Sequence, residues 1–260
     1  MIEIKNLYAG YDKNDVLKDV SADIFQGSFT GIIGRNGAGK STLLKNICAL
    51  LPFSKGEIKI SGQALSAFSR ERLAQTLAFM PQSVSYDFAF TVRDFVMLGR
   101  YPYMNFFKIP SRKDFEAVEQ TLKFTGAARF SNKNINELSG GEKQRVLIAQ
   151  TIAQDTGILI FDEPTAHLDI GSQNDILELL RTLNKRNKKT IIATLHDLNA
   201  AGEFCDNLIL LDGGRVKNSG SPQKVLNFKD IEEVYKTTVI VKENPVSKKP
   251  YVIPYRKNED

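Results

Sequence analysis

Gly34-Arg35-Asn36-Gly37-Ala38-Gly39-Lys40-Ser41 satisfies the pattern G-x-x-x-x-G-K-[ST]. Its surroundings decide the reading. Phe29-Thr30-Gly31-Ile32-Ile33, immediately upstream, is an apolar run of the kind that makes a buried strand, and Lys40 to about Leu50 carries a helical pattern. A plain glycine-rich turn between strand and helix requires no Lys-Ser pair at this offset. In this context the glycines let the backbone curl so that successive N–H groups face phosphate oxygens, and the helix N-terminus adds its dipole. Lys40 is expected to reach the β- and γ-phosphates and the Ser41 hydroxyl to ligate Mg²⁺. Gly34, Arg35, Asn36, Gly37, Ala38, Gly39, Lys40, Ser41 and Thr42 are therefore the candidate nucleotide contacts.

Outward from this loop the chain reads as short strands, then helices, then strands and helices in alternation. Ile2 to Leu7 alternates apolar and polar residues, Val16 to Phe25 does so loosely, and Glu57 to Ile60 runs into a Ser61-Gly62 turn. Leu77-Ala78-Phe79-Met80 is a strand stopped by Pro81. From Thr91 to about Ala153 the patterning is helical almost throughout, including a stretch capped by Ser111. Strands return at Ile158–Phe161, Thr190–Thr194 and Leu208–Leu211, with a helix marked by Ile176, Leu179, Leu180 and Leu183. Buried apolar strands alternating with helices predict a parallel α/β sheet. The tail from about Val239, with Pro245, Pro250 and Pro254 among charged residues, is expected to run extended over the surface. No internal repeat or low-complexity segment interrupts this order.

A phosphate-binding loop does not by itself separate ATPase, GTPase and kinase. Asn132-Lys133-Asn134-Ile135 lacks the aspartate of a guanine-reading N-K-x-D, which disfavours a GTPase. Asp162-Glu163 follow an apolar strand, so both carboxylates fall at its carboxyl end, where parallel α/β sheets build their sites. Asp162 is placed to hold Mg²⁺ through its water shell; Glu163 is placed to polarise the attacking water, as general base or as an orienting group. The plainer reading makes them two acids opening a loop that Pro164 stiffens.

Composition excludes several classes. The 260 residues are 42% hydrophobic and 25% charged, ordinary globular values that rule out collagenous, coiled-coil and wholly disordered chains. A net charge of +5 is too small to argue nucleic-acid binding, and none is expected. The charge gathers slightly at Lys242, Lys248, Lys249, Arg256 and Lys257. Cys48 and Cys205, the only two cysteines, lie far apart in apolar or helical stretches and read as core fillers of a chain in a reducing compartment. No apolar run approaches the roughly 18 residues that span a bilayer, so any service to a membrane is expected to come by docking.

Leu138-Ser139-Gly140-Gly141-Glu142-Lys143-Gln144-Arg145 resembles the signature of the ATP-binding cassette ATPases, and with the loop at Gly34 and the acids at Asp162-Glu163 the match is specific. By local chemistry alone, Ser139, Gly140 and Gly141 could equally open an ordinary Ser-capped helix. The resemblance extends to about residue 255. It implies a P-loop NTPase (RecA-like) parallel core carrying an N-terminal antiparallel β subdomain and an inserted α-helical subdomain. The corresponding boundaries are 1–82 for the first part of the core, 83–156 for the helical subdomain, 157–238 for the rest of the core and 239–260 for a C-terminal extension. It implies ATP and Mg²⁺ as cofactors and ATPase activity. Tyr11 resembles the aromatic that stacks on adenine, with Tyr8 the weaker candidate. Gln82 resembles the glutamine that contacts Mg²⁺ and the attacking water, and Asp169, in Ala166-His167-Leu168-Asp169, the loop that crosses a dimer interface. His196 resembles the switch histidine on the γ-phosphate, whereas His167 is expected to pack at an interface.

In this family the phosphate loop of one chain faces the signature of another, so Ser139, Gly140, Gly141 and Glu142 are expected to meet the ATP of a second copy in a closed two-fold dimer. Thr91 to Tyr103, Gly220 to Leu226 and Ile253-Pro254-Tyr255 are similar to the branch that powers import of ferric siderophores, haem and cobalamin. Importer ATPases for zinc, manganese or molybdate share parts of this pattern. A soluble cassette ATPase outside transport, such as an iron–sulfur assembly factor, is the reading from another class. Tyr86, Phe88, Phe90, Phe95, Tyr101, Tyr103, Phe106 and Phe107 are eight of the chain's twenty-four aromatics, denser than one small insertion needs. They suggest a groove for a helix of a transmembrane permease, against the alternative that they are core. The implied setting is peripheral, on the cytoplasmic face of a bacterial-type membrane, with a substrate-binding protein as an indirect partner.

Overall fold

A computed structural model describes residues 1–12, 14–84, 89–104, 106–107 and 109–255. Tyr86, Phe88, Arg256 and Lys257 lie outside the described residues. The chain forms two compact units, Met1–Phe68 with Thr190–Asp260, and Ser69–Lys189.

The first unit opens with β1 (Ile2–Tyr11), β2 (Asn14–Ile24), β3 (Phe29–Ile33), α1 (Lys40–Ile47), β4 (Lys55–Ile60) and β5 (Gln63–Ala64). The second contains α2 (Arg70–Thr76), β6 (Leu77–Met80), α3 (Val92–Met97), α4 (Arg112–Phe124), α5 (Gly140–Ala153), β7 (Ile158–Phe161) and α6 (Ile170–Asn187). The chain then returns to the first unit for β8 (Thr190–Thr194), α7 (Leu198–Phe204), β9 (Asn207–Asp212), β10 (Arg215–Gly220), α8 (Pro222–Val225), α9 (Phe228–Tyr235), β11 (Val239–Glu243) and β12 (Pro250–Pro254).

In the first unit, β2-β1-β4-β5 make an antiparallel sheet. Ile2 and Ile4 are buried while Lys5 is exposed, the period-2 alternation of a one-sided sheet. The register slips after Ile4, where Asn6 takes a left-handed φ of 46°. The second sheet of this unit runs β10-β9-β3-β8. β3 pairs parallel with both β8 and β9, and β10 closes the edge antiparallel. All five residues of β3 and all five of β8 are buried. That is why both read as unbroken apolar runs rather than as alternation. Cys48 and Cys205 are buried, as their apolar settings suggested.

α1 stops earlier than its apolar pattern predicts, at Ile47 rather than near Leu50. Ala49 turns left-handed at φ 54°, and Leu50 N–H reaches back to Lys45 O at 2.8 Å. Without glycine at that turn, the stop carries no sequence signal. The tail from Val239 is extended, as expected, but folds back on itself. β11 and β12 form a hairpin in which Val239 pairs with Pro254, and Asn199 of α7 bonds both the N–H and the C=O of Val252.

The second unit is built on the parallel pair β6–β7, in which Met80 matches Phe161. Its helices are capped by their own sequence. Ser69 caps α2 and Asp169 caps α6, while Ser111 with Asp114 and Ser139 with Glu142 make capping boxes on α4 and α5. Val92, Val96, Val118, Leu122, Val146 and Ile148 form the core of the helical part. The 3-10 segment Leu98–Tyr103 lies so close to α5 that a Cβ at Gly99 would stand 2.3 Å from Gln150 O. Arg100 is buried there. It donates to Asp114 Oδ1 at 3.0 Å and to Ala153 O at 2.8 Å, and its guanidinium lies 4.3 Å from the Tyr103 ring centroid.

Candidate functional site

In the first unit, the phosphate loop leaves the end of β3 and closes into α1. Gly34 adopts φ 145° and a Cβ there would lie 2.3 Å from Leu211 O, so both conformation and space demand glycine. Gly39, at φ 99°, meets Leu17 Cδ2 in the same way at 2.6 Å. Arg35, Asn36 and Gly37 are exposed, whereas Ala38, Gly39 and Lys40 are buried. Lys40 Nζ donates to Gly34 O at 2.8 Å and to Arg35 O at 3.1 Å, holding the ammonium inside the curl of the loop. Ser41 follows at the first turn of α1, half-buried, with Thr42 buried behind it.

His196 belongs to the same edge of that sheet. Thr194 pairs with Ile32 across β8 and β3, so two more residues bring an exposed His196 to the strand ends where Gly34 begins. Asp197 accepts from Asn199 N and Ala200 N at 2.7 and 3.1 Å, which caps α7 and fixes the chain leaving His196. Tyr11 ends β1 and is 44% exposed, enough for one ring face to accept a base. Lys45 of α1 stands 5.9 Å from its ring centroid and 3.5 Å from its hydroxyl. Tyr8, the weaker candidate, instead has Lys55 over its ring at 5.7 Å.

In the second unit, the β6–β7 register does the positioning. Gln82 lies two residues past Met80 and Glu163 two past Phe161, and the Gln82 amide nitrogen donates to Glu163 Oε2 at 2.8 Å. Asp162 is buried at 2% exposure, its N–H bonded to Met80 O at 2.9 Å. Glu163 is held left-handed at φ 53°, a conformation that costs energy in a non-glycine residue and collects at functional sites. Gln144 of α5 donates to Pro164 O at 2.8 Å and ties the signature helix to this loop. No sequence reading singled Gln144 out, because a contact across twenty positions has no local pattern.

Ser139 and Gly140 are exposed at the N-terminus of α5, and space around Gly140 is open where a Cβ would point. The Ser139 N–H and hydroxyl both donate to Glu142 Oε2 at 2.9 Å, and these bonds hold the Glu142 carboxyl below the usual carboxylate range. Asp169 accepts from Ser172 N and Oγ at 2.9 Å, which lowers its carboxyl likewise. A Cβ at Gly141 would stand 3.5 Å from Leu168 Cδ2, so the signature and the Ala166–Asp169 loop are neighbours.

In the second unit the Gln82 amide nitrogen is held on Glu163, and Asp162 and Glu163 are hard oxygen donors of the kind Mg²⁺ accepts; in the first unit, so is Ser41. Among the described residues, no three His, Cys, Asp or Glu gather into a cage for a metal. Of the aromatic segment, Phe95 is buried, while Phe90, Tyr101, Tyr103, Phe106 and Phe107 are exposed. Among the described residues no helix is long and apolar enough to cross a membrane.

A family model described as "ABC transporter" matches residues 17–166. The chain is 36% identical to the petrobactin import ATP-binding protein of Bacillus anthracis, over 98% of this chain and 94% of that protein. It is 35% identical to the ferric enterobactin transport ATP-binding protein of Escherichia coli (strain K12), over 96% of this chain and 92% of that one. Among solved structures it resembles a chain described as a metal-chelate type ABC transporter in an inward-facing conformation. That likeness has a TM-score of 0.86 at 25% identity and covers 98% of this chain and 97% of that one.

Proposed function

For a chain that belongs to the ABC transporter family and is one of its ATPases, we propose that ATP hydrolysis energises the import of an iron chelate or cobalamin through membrane permease subunits. The observation that carries this reading is the reach of the likeness. Identity to siderophore import ATP-binding proteins runs far past residue 166, where the family model ends, and takes in nearly the whole chain.

In this reading the N–H groups of Gly34 to Ser41 and the Lys40 ammonium hold the phosphates, and Tyr11 stacks on adenine. Ser41 and Gln82, and Asp162 through water, would hold Mg²⁺, which would supply positive charge to neutralise the phosphates. Glu163 orients the attacking water, by a hydrogen bond or by taking its proton, and Gln82 holds the Glu163 carboxylate in place. Water oxygen forms the new bond to the γ-phosphorus as the bond to the β–γ bridging oxygen breaks, and ADP leaves with phosphate. His196 donates to the γ-phosphate, so the charge that moves is held by a preorganised group.

Ser139, Gly140, Gly141 and Glu142 serve the ATP of a second copy, with Asp169 at the interface. Loop and signature each occur once in the chain, so a two-fold pair completes two sites. ATP adds contacts in the closed pair and hydrolysis removes them, which turns chemistry into motion through differential binding. The exposed aromatics Tyr101, Tyr103, Phe106 and Phe107 are the surface offered to the permease. The chain works at the cytoplasmic face of the membrane, and a substrate-binding protein delivers the cargo to the permease.

Glu163→Gln separates binding from turnover. With ATP and Mg²⁺ it is expected to sediment as a dimer, with turnover lowered at least about a hundredfold. A monomer at saturating ATP contradicts the paired reading.

A further inference from the structure

Tyr11, the proposed seat of adenine, stands at the exposed end of β1, where a ring is free to turn unless something holds it. Its backbone is fixed. Tyr11 pairs with Asn14, and a Cβ on the preceding Gly10 would stand 1.7 Å from Asn14 O, so the chain closes there only with glycine. Among the described residues, the side chain has one polar partner, the Lys45 ammonium. At 3.5 Å from the hydroxyl and 5.9 Å from the ring centroid, that ammonium lies beyond the phenol oxygen and covers neither face of the ring.

Lys45 comes to the phenol from a firm base. It lies half-buried in the last turn of α1 between buried Leu44 and Asn46, and its carbonyl accepts from Leu50 N at 2.8 Å and Leu51 N at 3.3 Å. The same helix begins at Lys40 of the phosphate loop. One rigid element, about 7.5 Å of helix from Lys40 to Lys45, therefore ties the phosphate end of the site to its base end. We propose that Lys45 is a positioning residue for the base of the nucleotide: its ammonium donates to the Tyr11 hydroxyl and holds the ring at the angle on which adenine stacks. This rests on the assignment of Tyr11 to adenine. A ring held before the base arrives loses less freedom when it binds. The bond is long and partly exposed, so its loss is read as a severalfold change in affinity rather than as loss of binding.

The test compares Lys45→Met, which keeps the stem and removes charge and donor, with Lys45→Arg, which keeps both. The full chain is titrated calorimetrically with ATP and, separately, with inorganic triphosphate, each with Mg²⁺. Lys45→Met is expected to raise the Kd for ATP about three- to fivefold while the Kd for triphosphate, which has no base, stays within about 1.5-fold of the parent. Lys45→Arg is expected to bring the ATP value back to within about twofold. The acceptor gives the same answer from the other side. With Tyr11→Phe already in place, adding Lys45→Met is expected to move the ATP Kd by less than about 1.5-fold. An unchanged ATP Kd in Lys45→Met overturns the proposal. So does an equal weakening for ATP and triphosphate, since that marks a role in the fold or at the phosphates. Tyr11→Ala, measured in parallel, keeps the two readings apart. If it binds ATP like the parent, the adenine assignment itself fails; if it loses affinity while Lys45→Met does not, only the role of Lys45 fails.

Discussion

His196 leaves β8 two residues past Thr194, the partner of Ile32, and so stands at the sheet edge where Gly34 opens the phosphate loop. A histidine in that position can touch a γ-phosphate without contributing to the purchase on the rest of the nucleotide. His196→Ala is therefore expected to keep its Kd for ATP within about threefold while kcat falls about a hundredfold or more, read by equilibrium titration and single-turnover hydrolysis. Unchanged kcat would return His196 to a surface role. At this scale the sequence was informative wherever chemistry is local. The loop Gly34 to Ser41, the pair Asp162-Glu163 and the Ser139 cap each sit in one continuous stretch with a required order. Lys45 on Tyr11 and Gln144 on Pro164 O were not legible. Each joins positions far apart in the chain, and neither has a spacing rule.

Elements repeat the contrast. Strands β3, β7 and β8 were legible because strands buried on both faces leave continuous apolar runs. The Ser111 cap was equally plain. The end of α1 was not, because Ala49 rather than glycine makes the left-handed turn, and the β11–β12 hairpin was hidden by three prolines that sit at its ends and in its turn. Arg100 shows how an element is fixed by a contact invisible in the pattern. It joins Leu98–Tyr103 to the start of α4 and the end of α5, all with its side chain only 10% exposed. Arg100→Met strands the Asp114 carboxylate and is expected to cost about 3 kcal/mol, read from urea unfolding. The pH dependence has a definite sign. Burial alone would raise the Asp114 carboxyl, but hydrogen bonds from Ser111 and Arg100 and the guanidinium charge outweigh it and hold it below its usual value. Its stabilisation is thus present above the unfolded carboxylate pKa, about 4, and lost as pH falls through the lower folded value. Asp114→Asn should flatten that acid limb.

For the whole molecule, two compact units each carry part of the reading: the phosphate loop, Tyr11 and His196 in one, Gln82, Asp162, Glu163 and the signature in the other. A single loop and a single signature per chain make pairing part of the proposed mechanism, and Tyr101, Tyr103, Phe106 and Phe107 are the exposed aromatics that the proposal offers to a membrane partner. In the proposed reading the cargo passes through the permease, not through the ATPase subunit. The central claim is that this ATPase drives a permease. It is tested most directly by affinity purification of tagged Glu163→Gln chain from detergent-solubilised native membranes with ATP present, identifying what accompanies it by mass spectrometry. Recovery of a polytopic membrane protein in stoichiometric amount is the result expected. Recovery of soluble proteins alone, under detergent conditions that leave a known transporter complex intact, would contradict the claim and make the chain an ATPase outside transport.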